Sequence, residues 1–277
     1  MRRPQVSFAG PETWERFAHA ERVWGTVVTF DVRGSTTPDA PETFAEAARH
    51  GVAEAVSFLH DVDSWFSTYR VDTPITALRN GLLTAEDMPP VVVSVLDSCR
   101  WLRTLTNGVF DPWAASGGVD PSGYVKGWAA DIAADLLGGM GFDNVCINAA
   151  GDVSCRGFQS PEQPWVVGIR HPAHANQIVQ TVVALDEGVA TSGLYERGAH
   201  VVDPRSGRHE VTLTSATVVG PDCGMADALA TALLVAGIDG LEWFADLPGW
   251  SAYLVAGTEA HYFGAAFDSG LRVGANN

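Results

Sequence analysis

The chain is 277 residues long, 46% hydrophobic and 18% charged, a length and balance that suit one large core in one or two tightly joined subdomains. Its net charge of −16 repels nucleic acid and anionic membranes, so neither is an expected partner, and any phosphorylated ligand must find a local cation. No run of 18 apolar residues is visible for a membrane span, and no apolar stretch follows Arg2 and Arg3 to make a secretory signal, so the expected location is the cytoplasm.

In chain order, "WGTVVTFDV" (24–32) alternates with β-branched residues and predicts a strand. Residues 41–66 have helical periodicity, with Phe44, Ala48, Val52, Ala55, Val56 and Leu59 on one face. "STYRVDTPITALRNG" (67–81) reads as a loop broken by Pro74 and Gly81. A helix over 89–106 should stop at Asn107-Gly108, and 109–123 is a long Gly-, Pro- and Asp-rich segment that carries Phe110 and Trp113. A third helix spans 126–140. Strands follow near 143–149, 152–157, 165–170, 178–185, 199–203 and 212–219, the first two joined by a tight turn at Gly151-Asp152. An apolar helix lies within 220–237, a second helix near 239–246, and strands near 251–256 and 260–264. Strands and helices in blocks with hairpin-length gaps predict an α+β fold with antiparallel sheet rather than a βαβ repeat. No short repeat is visible. Cys99, Cys146, Cys155 and Cys223 form no C-x-x-C pair and read as isolated, buried, reduced thiols, while His171 and His174 fall in a loop around Pro172.

Several positions are chemically odd. Lys126 is the one lysine among 17 basic residues. Compositional bias explains the arginines, but a lysine retained in "DPSGYVKGWAAD" suits a phosphate, which a compact ammonium can reach. The glycine before it and the helix start around it would also favour an anion, although the stretch is not a P-loop. Asp227 and Thr231 share one face of the apolar 220–237 helix. They are either a dipole-complementing acid and a back-bonding hydroxyl or a pair of oxygen donors for a hard cation such as Mg2+. Asp111-Pro112 is a turn or part of a site. His200 is a surface imidazole or a general base near neutral pH. Trp24, beside Gly25, could stack on a planar ligand.

Nine blocks in order give these positions a common meaning. "WGTVVTFDV", "FSTYRVDTPI", "TNGVFDP", "DPSGYVKGWAAD", "INAAGDVSCRG", "WVVGIRHP", "VATSGLY", "HVVDPRSG" and "ADALATAL" resemble the bacterial flavin transferase family called ApbE, the FAD:protein FMN transferases. The resemblance covers residues 22–265 and treats the chain as one domain. It implies two intertwined, T-fold-like α+β subdomains with antiparallel sheets and FAD in the cleft between them. It also implies Mg2+-dependent transfer of FMN from FAD to a threonine or serine hydroxyl of an acceptor flavoprotein bearing a Ser/Thr-Gly-Ala-Thr-like segment, with release of AMP. An FAD pyrophosphatase using the same metal, and a non-catalytic FAD-binding protein, are the alternatives.

By motif position, the resemblance implies that the Asp227 carboxylate, the Thr231 hydroxyl and the Gly123 carbonyl hold the metal. Asp120 and Lys126 would contact FAD, the latter at its phosphates. Phe110 and Asp111 would lie along the adenosine or flavin path, and Trp24 and Tyr69 would flank a ring system. His200 is the candidate base and Asp227 the essential acid. Trp24 stands where the family often has methionine. The segment after "FDP" is short, as is that between Ser192 and His200. In Asn148-Ala149-Ala150-Gly151-Asp152 an alanine, Ala150, stands at the first glycine of the family's N-x-G-G turn.

Overall fold

The structure, a computed structural model, describes residues 14–35, 42–174, 176–194, 203–207 and 211–267. The first strand was not anticipated: β1 (Trp14–Val23) pairs along its whole length with β2 (Thr26–Ser35). Trp24 and Gly25 are the turn between them, not the start of a strand, and both have positive φ, as a two-residue type I′ hairpin requires. β1 reads as polar because it is an edge strand, with Glu15, Arg16, Glu21 and Arg22 among its ten residues.

The helices obey their local signals. Helix α1 (Phe44–Phe66) starts at Thr43, whose hydroxyl accepts from the Glu46 N–H while Glu46 accepts from the Thr43 N–H, a reciprocal capping box. It buries Phe44, Ala48, Val52, Ala55 and Leu59 as expected; Val56 is only partly covered. Helix α2 (Pro74–Arg79) lies inside the expected loop, with Thr73 as cap and Pro74 in the first turn. Helix α3 (Pro90–Leu105) ends at Thr106, and Asn107 and Gly108 take positive φ to turn the chain away. Helix α4 (Ser122–Gly139) begins four residues earlier than expected, because the Asp120 carboxylate accepts from the Ser122 N–H at 3.0 Å.

The remaining strands are β3 (Asn144–Ala149), β4 (Asp152–Arg156), β5 (Phe158–Ser160), β6 (Gln163–Arg170), β7 (Ile178–Ala184), β8 (Gly188–Gly193), β9 (Ser215–Gly220), β10 (Ser251–Ala256) and β11 (Glu259–Phe263), with helix α5 (Cys223–Ala236) between β9 and β10. The β3–β4 turn is Ala150-Gly151, one residue before its expected place, and Asp152 opens β4. Ala150 holds φ 58°, the left-handed conformation that costs an L-residue about 1–2 kcal/mol and that glycine adopts freely. β8 reads in sequence as a small-residue turn; it is a strand buried on both faces, so it has no alternation to betray it. The strand expected at 199–203 lies, apart from Asp203, outside the described residues, whereas the turn from Asp203-Pro204 to Gly207 is present.

Eight strands form one sheet in the order β1-β2-β3-β4-β8-β9-β10-β11, and β5-β6-β7 form a second. Every registered pair is antiparallel. The large sheet divides into two four-stranded halves, each a strand pair, a helical segment and a second strand pair. They meet where β4 pairs with β8 through Val153↔Val189 and Ser154↔Gly188. One face of the sheet packs on α1, α4 and α5 through Phe30, Ile147, Val218 and Leu254. The other face is covered in its middle by Trp165, Ile169 and Val182 of the small sheet. α5 is apolar on all sides because it is enclosed on all sides. With the 3-10 turns at Gly237–Asp246 it makes a 24-residue helical stretch, in which an 18-residue window of mean hydropathy 1.5 is, by length and composition alone, apolar enough to cross a membrane. Polar and charged residues interrupt it, so it is not an unbroken apolar run, and most of the window is buried in the core. The cysteines need correction. Cys99 and Cys223 are isolated, but Cys146 and Cys155 face each other across β3 and β4 with their Sγ atoms 3.8 Å apart.

Candidate functional site

The starts of α4 and α5 cross in van der Waals contact because the crossing residues lack side chains. A Cβ on Gly127 would collide with the Cys223 carbonyl, and one on Gly224 would lie 2.9 Å from the Trp128 Cβ. At this crossing Lys126 of α4 reaches over to α5. Its Nζ donates to Asp227 Oδ2 at 2.7 Å and also to Asp152 Oδ2 at the start of β4. The two carboxylates are 4% and 1% exposed and the lysine side chain 25%. Two buried acids therefore share one ammonium at the rim of the core. Their field is felt nearby: burial pushes the Cys223 thiol pKa well up, Asp131, Asp152 and Asp227 add to the rise, and Lys126 opposes it.

Asp227 is not the helix cap. Asp222 takes that role, its carboxylate accepting from the Met225 N–H at 2.6 Å, so Asp227 in the second turn faces the cluster instead. Thr231, one turn on, has its Oγ1 3.0 Å from Ser192 Oγ on β8. Gly123 is buried one turn before Lys126 on α4. Below the cluster, Asp131 accepts from the Cys223 N–H and from Ser154 Oγ, each at 2.6 Å.

The structure thus unites Lys126 with Asp227 and adds Asp152, Ser192 and Asp131, which sequence reasoning missed. Asp152 looks like ordinary hairpin polarity, Ser192 like part of a turn and Asp131 like a helix surface acid. The other candidates have different partners. Asp120 caps α4. Asp111 is held by Arg103 Nε at 2.7 Å and accepts from the Trp113 N–H at 3.0 Å. Phe110 is 5% exposed in the core and Tyr69 is 96% exposed in the loop after α1. Trp24 sits at the same end of the sheet as the Ala150-Gly151 turn, and its indole N–H is buried with no hydrogen-bond partner among the described residues. His200 lies outside the described residues. A cleft of about 710 Å3 beside Phe244, Trp250, Phe263 and Glu187 shares no residue with the cluster.

The donor set fits a hard divalent cation. Asp227, Asp152, Thr231 and Ser192 all offer oxygen, the ligand type Mg2+ prefers, and the Lys126 ammonium already bridges the acids as a positive charge would. No group of three or more His, Cys, Asp and Glu side chains placed to hold a metal ion is present among the described residues, so any ion here would also rest on hydroxyl and backbone oxygens. The same ammonium, swung outward, can meet an anion.

The model of the ApbE family matches residues 114–254, half of the chain. That span contains Gly123, Lys126, Asp131, Asp152, Ser192, Asp227 and Thr231, and leaves out Trp24, Tyr69, Phe110 and Asp111. The chain is 34% identical over 129 residues to the FAD:protein FMN transferase of Vibrio cholerae serotype O1, which covers 43% of this chain and 39% of that protein. It is 33% identical over 147 residues to the FAD:protein FMN transferase of Escherichia coli K12, covering 50% and 42%. The matches span about two fifths of these curated relatives. In structure it superposes on the flavin transferase ApbE from Vibrio cholerae with a TM-score of 0.77 at 20% identity, covering 93% of this chain and 99% of that one, a likeness of fold.

Proposed function

The chain belongs to the ApbE family, and from that premise we propose that it transfers FMN from FAD to a threonine or serine hydroxyl of an acceptor flavoprotein, in a Mg2+-dependent reaction that releases AMP. The matched relatives bear the name FAD:protein FMN transferase. The observation that carries the reading is the buried Asp152–Lys126–Asp227 bridge, the one place where this acidic chain keeps a lysine.

In this reading the acceptor oxygen bonds to the FMN-side phosphorus. The bond from that phosphorus to the bridging oxygen breaks, and its electron pair leaves with AMP. The hydroxyl proton passes to His200, the candidate base. The leaving group is itself a phosphate, so positioning and charge neutralisation matter more than acid catalysis. Mg2+, when bound, would supply that neutralisation and polarise the phosphoryl oxygens. Asp227, Thr231 and the Gly123 carbonyl would hold it, with Ser192 orienting the Thr231 hydroxyl. Lys126 donates to diphosphate oxygens, and Asp152 keeps the ammonium over them. Trp24 offers its indole N–H and ring to the cofactor.

The test is incubation with FAD, Mg2+ and an acceptor carrying a Ser/Thr-Gly-Ala-Thr-like segment, followed by intact-mass analysis. A mass gain equal to one FMN phosphoester, with AMP in solution, supports the transferase. Free FMN and AMP without a mass gain identify a pyrophosphatase, and neither product identifies a flavin carrier.

A further inference from the structure

Asp131 closes the motif "DPSGYVKGWAAD", and nothing in the proposed chemistry uses it. It lies on α4 five residues beyond Lys126 and is 8% exposed. Its Oδ2 accepts from the N–H of Cys223, the first residue of α5 and four before Asp227. Its Oδ1 accepts from Ser154 Oγ on β4, two residues beyond Asp152. Arg156 steadies the same arrangement, Nη2 reaching Asp131 Oδ1 at 3.3 Å and Nη1 reaching Ser154 Oγ at 3.0 Å. The two elements that supply Asp227 and Asp152, α5 and β4, therefore each lend a second group to this one carboxylate, which α4 carries along with Lys126.

We propose that Asp131 is a positioning residue: it ties the starts of α5 and β4 to α4, so that Asp227, Asp152 and Lys126 stay in one cluster, and so sets the affinity of that centre for its divalent cation. The proposal rests on the functional reading above for the cation itself. The chemistry asks for a carboxylate-shaped group. The Cys223 N–H is an orphan of the helix start, enclosed in the core, and needs an acceptor. The Ser154 hydroxyl needs another at a fixed angle to the first. Burial raises the Asp131 pKa, against which Ser154 and Arg156 act. The tie ends at the close crossing itself, where Gly127 lies against the Cys223 carbonyl, so a shift of Cys223 is felt next to Lys126.

The experiment measures Mn2+ binding to the full chain with FAD present, by the loss of the free-ion EPR signal, alongside thermal unfolding. Asp131→Ala removes both acceptors and should weaken Mn2+ binding about tenfold or more. Asp131→Asn should fall between wild type and Asp131→Ala, because its carbonyl still accepts from the Cys223 N–H while its amide can no longer accept from Ser154 or Arg156. Leu59→Ala, a core truncation in α1, should lower the Tm and leave Mn2+ affinity unchanged. The proposal is overturned if Asp131→Ala binds Mn2+ as tightly as wild type, or loses no more affinity than Leu59→Ala. Should Asp131→Ala not fold, Ser154→Ala cuts the β4 tie alone and must weaken binding measurably; unchanged affinity overturns the proposal. A wild-type chain that binds FAD but no Mn2+ overturns the metal reading as well, a result distinct from equal binding by all variants.

Discussion

Lys126 stands between two acids that water barely reaches, and its removal should be felt first as instability. Taking one partner from a buried ion pair costs about 3–5 kcal/mol because the other charge is left uncompensated. A quarter of the lysine side chain meets solvent, which places Lys126→Ala near the lower end, about 3 kcal/mol. Adding Asp152→Asn removes one of the stranded charges and should recover part of that loss in urea unfolding. A double variant no more stable than Lys126→Ala would contradict the shared-ammonium picture. Lys126 and Asp227 were legible in the sequence because each is out of place: a lone lysine, and an acid inside an apolar helix. Asp152, Ser192 and Asp131 were not, because an acid after a hairpin turn, a serine before a glycine and an acid on a helix are common, and only the crossing of α4 with α5 gives them partners.

Elements bring those residues together, and glycine decides how closely. Gly127→Ala should cost about 1–3 kcal/mol, the usual range for overpacking, since the new methyl meets backbone of α5 that has no rotamer to change. Gly138 lies in the same helix with nothing within 4 Å of its missing Cβ. Gly138→Ala should stabilise by up to about 1 kcal/mol through helix propensity. Thermal unfolding of the two variants checks the pair, and similar shifts would refute the close crossing. At the start of α1, backbone and side-chain hydrogen bonds from Thr43 hold the Glu46 pKa below 4.5. A depressed folded-state pKa gives support that is complete above 4.5 and lost as pH falls through the folded value. NMR shifts of residues 43–47 should therefore report fraying of the first turn on acidification, and Glu46→Gln should flatten that response. Helices were readable because caps and apolar faces are local signals. β1 and β8 were not, because an exposed edge strand looks polar and a strand buried on both faces has no period.

On the scale of the whole molecule, two halves of like design, each strand pair, helical segment and strand pair, share one sheet and are joined through β4 and β8. The sequence shows no repeat because the halves share topology rather than residues. The first half brings Lys126 and Asp152, the second Asp227, Thr231 and Ser192, so the cluster exists only when both halves are folded together. Around it the chain carries a charge of −16, so under the proposed function an anionic dinucleotide would gain its foothold from the lysine and a cation rather than from the surface at large. The most direct measurement is anomalous diffraction from crystals grown with FAD and Mn2+. The account predicts a manganese peak within coordination distance of the Asp227 carboxylate and the Thr231 hydroxyl, with Lys126 turned to the diphosphate. FAD bound with no peak there, and Lys126 still bridging Asp152 and Asp227, would contradict it.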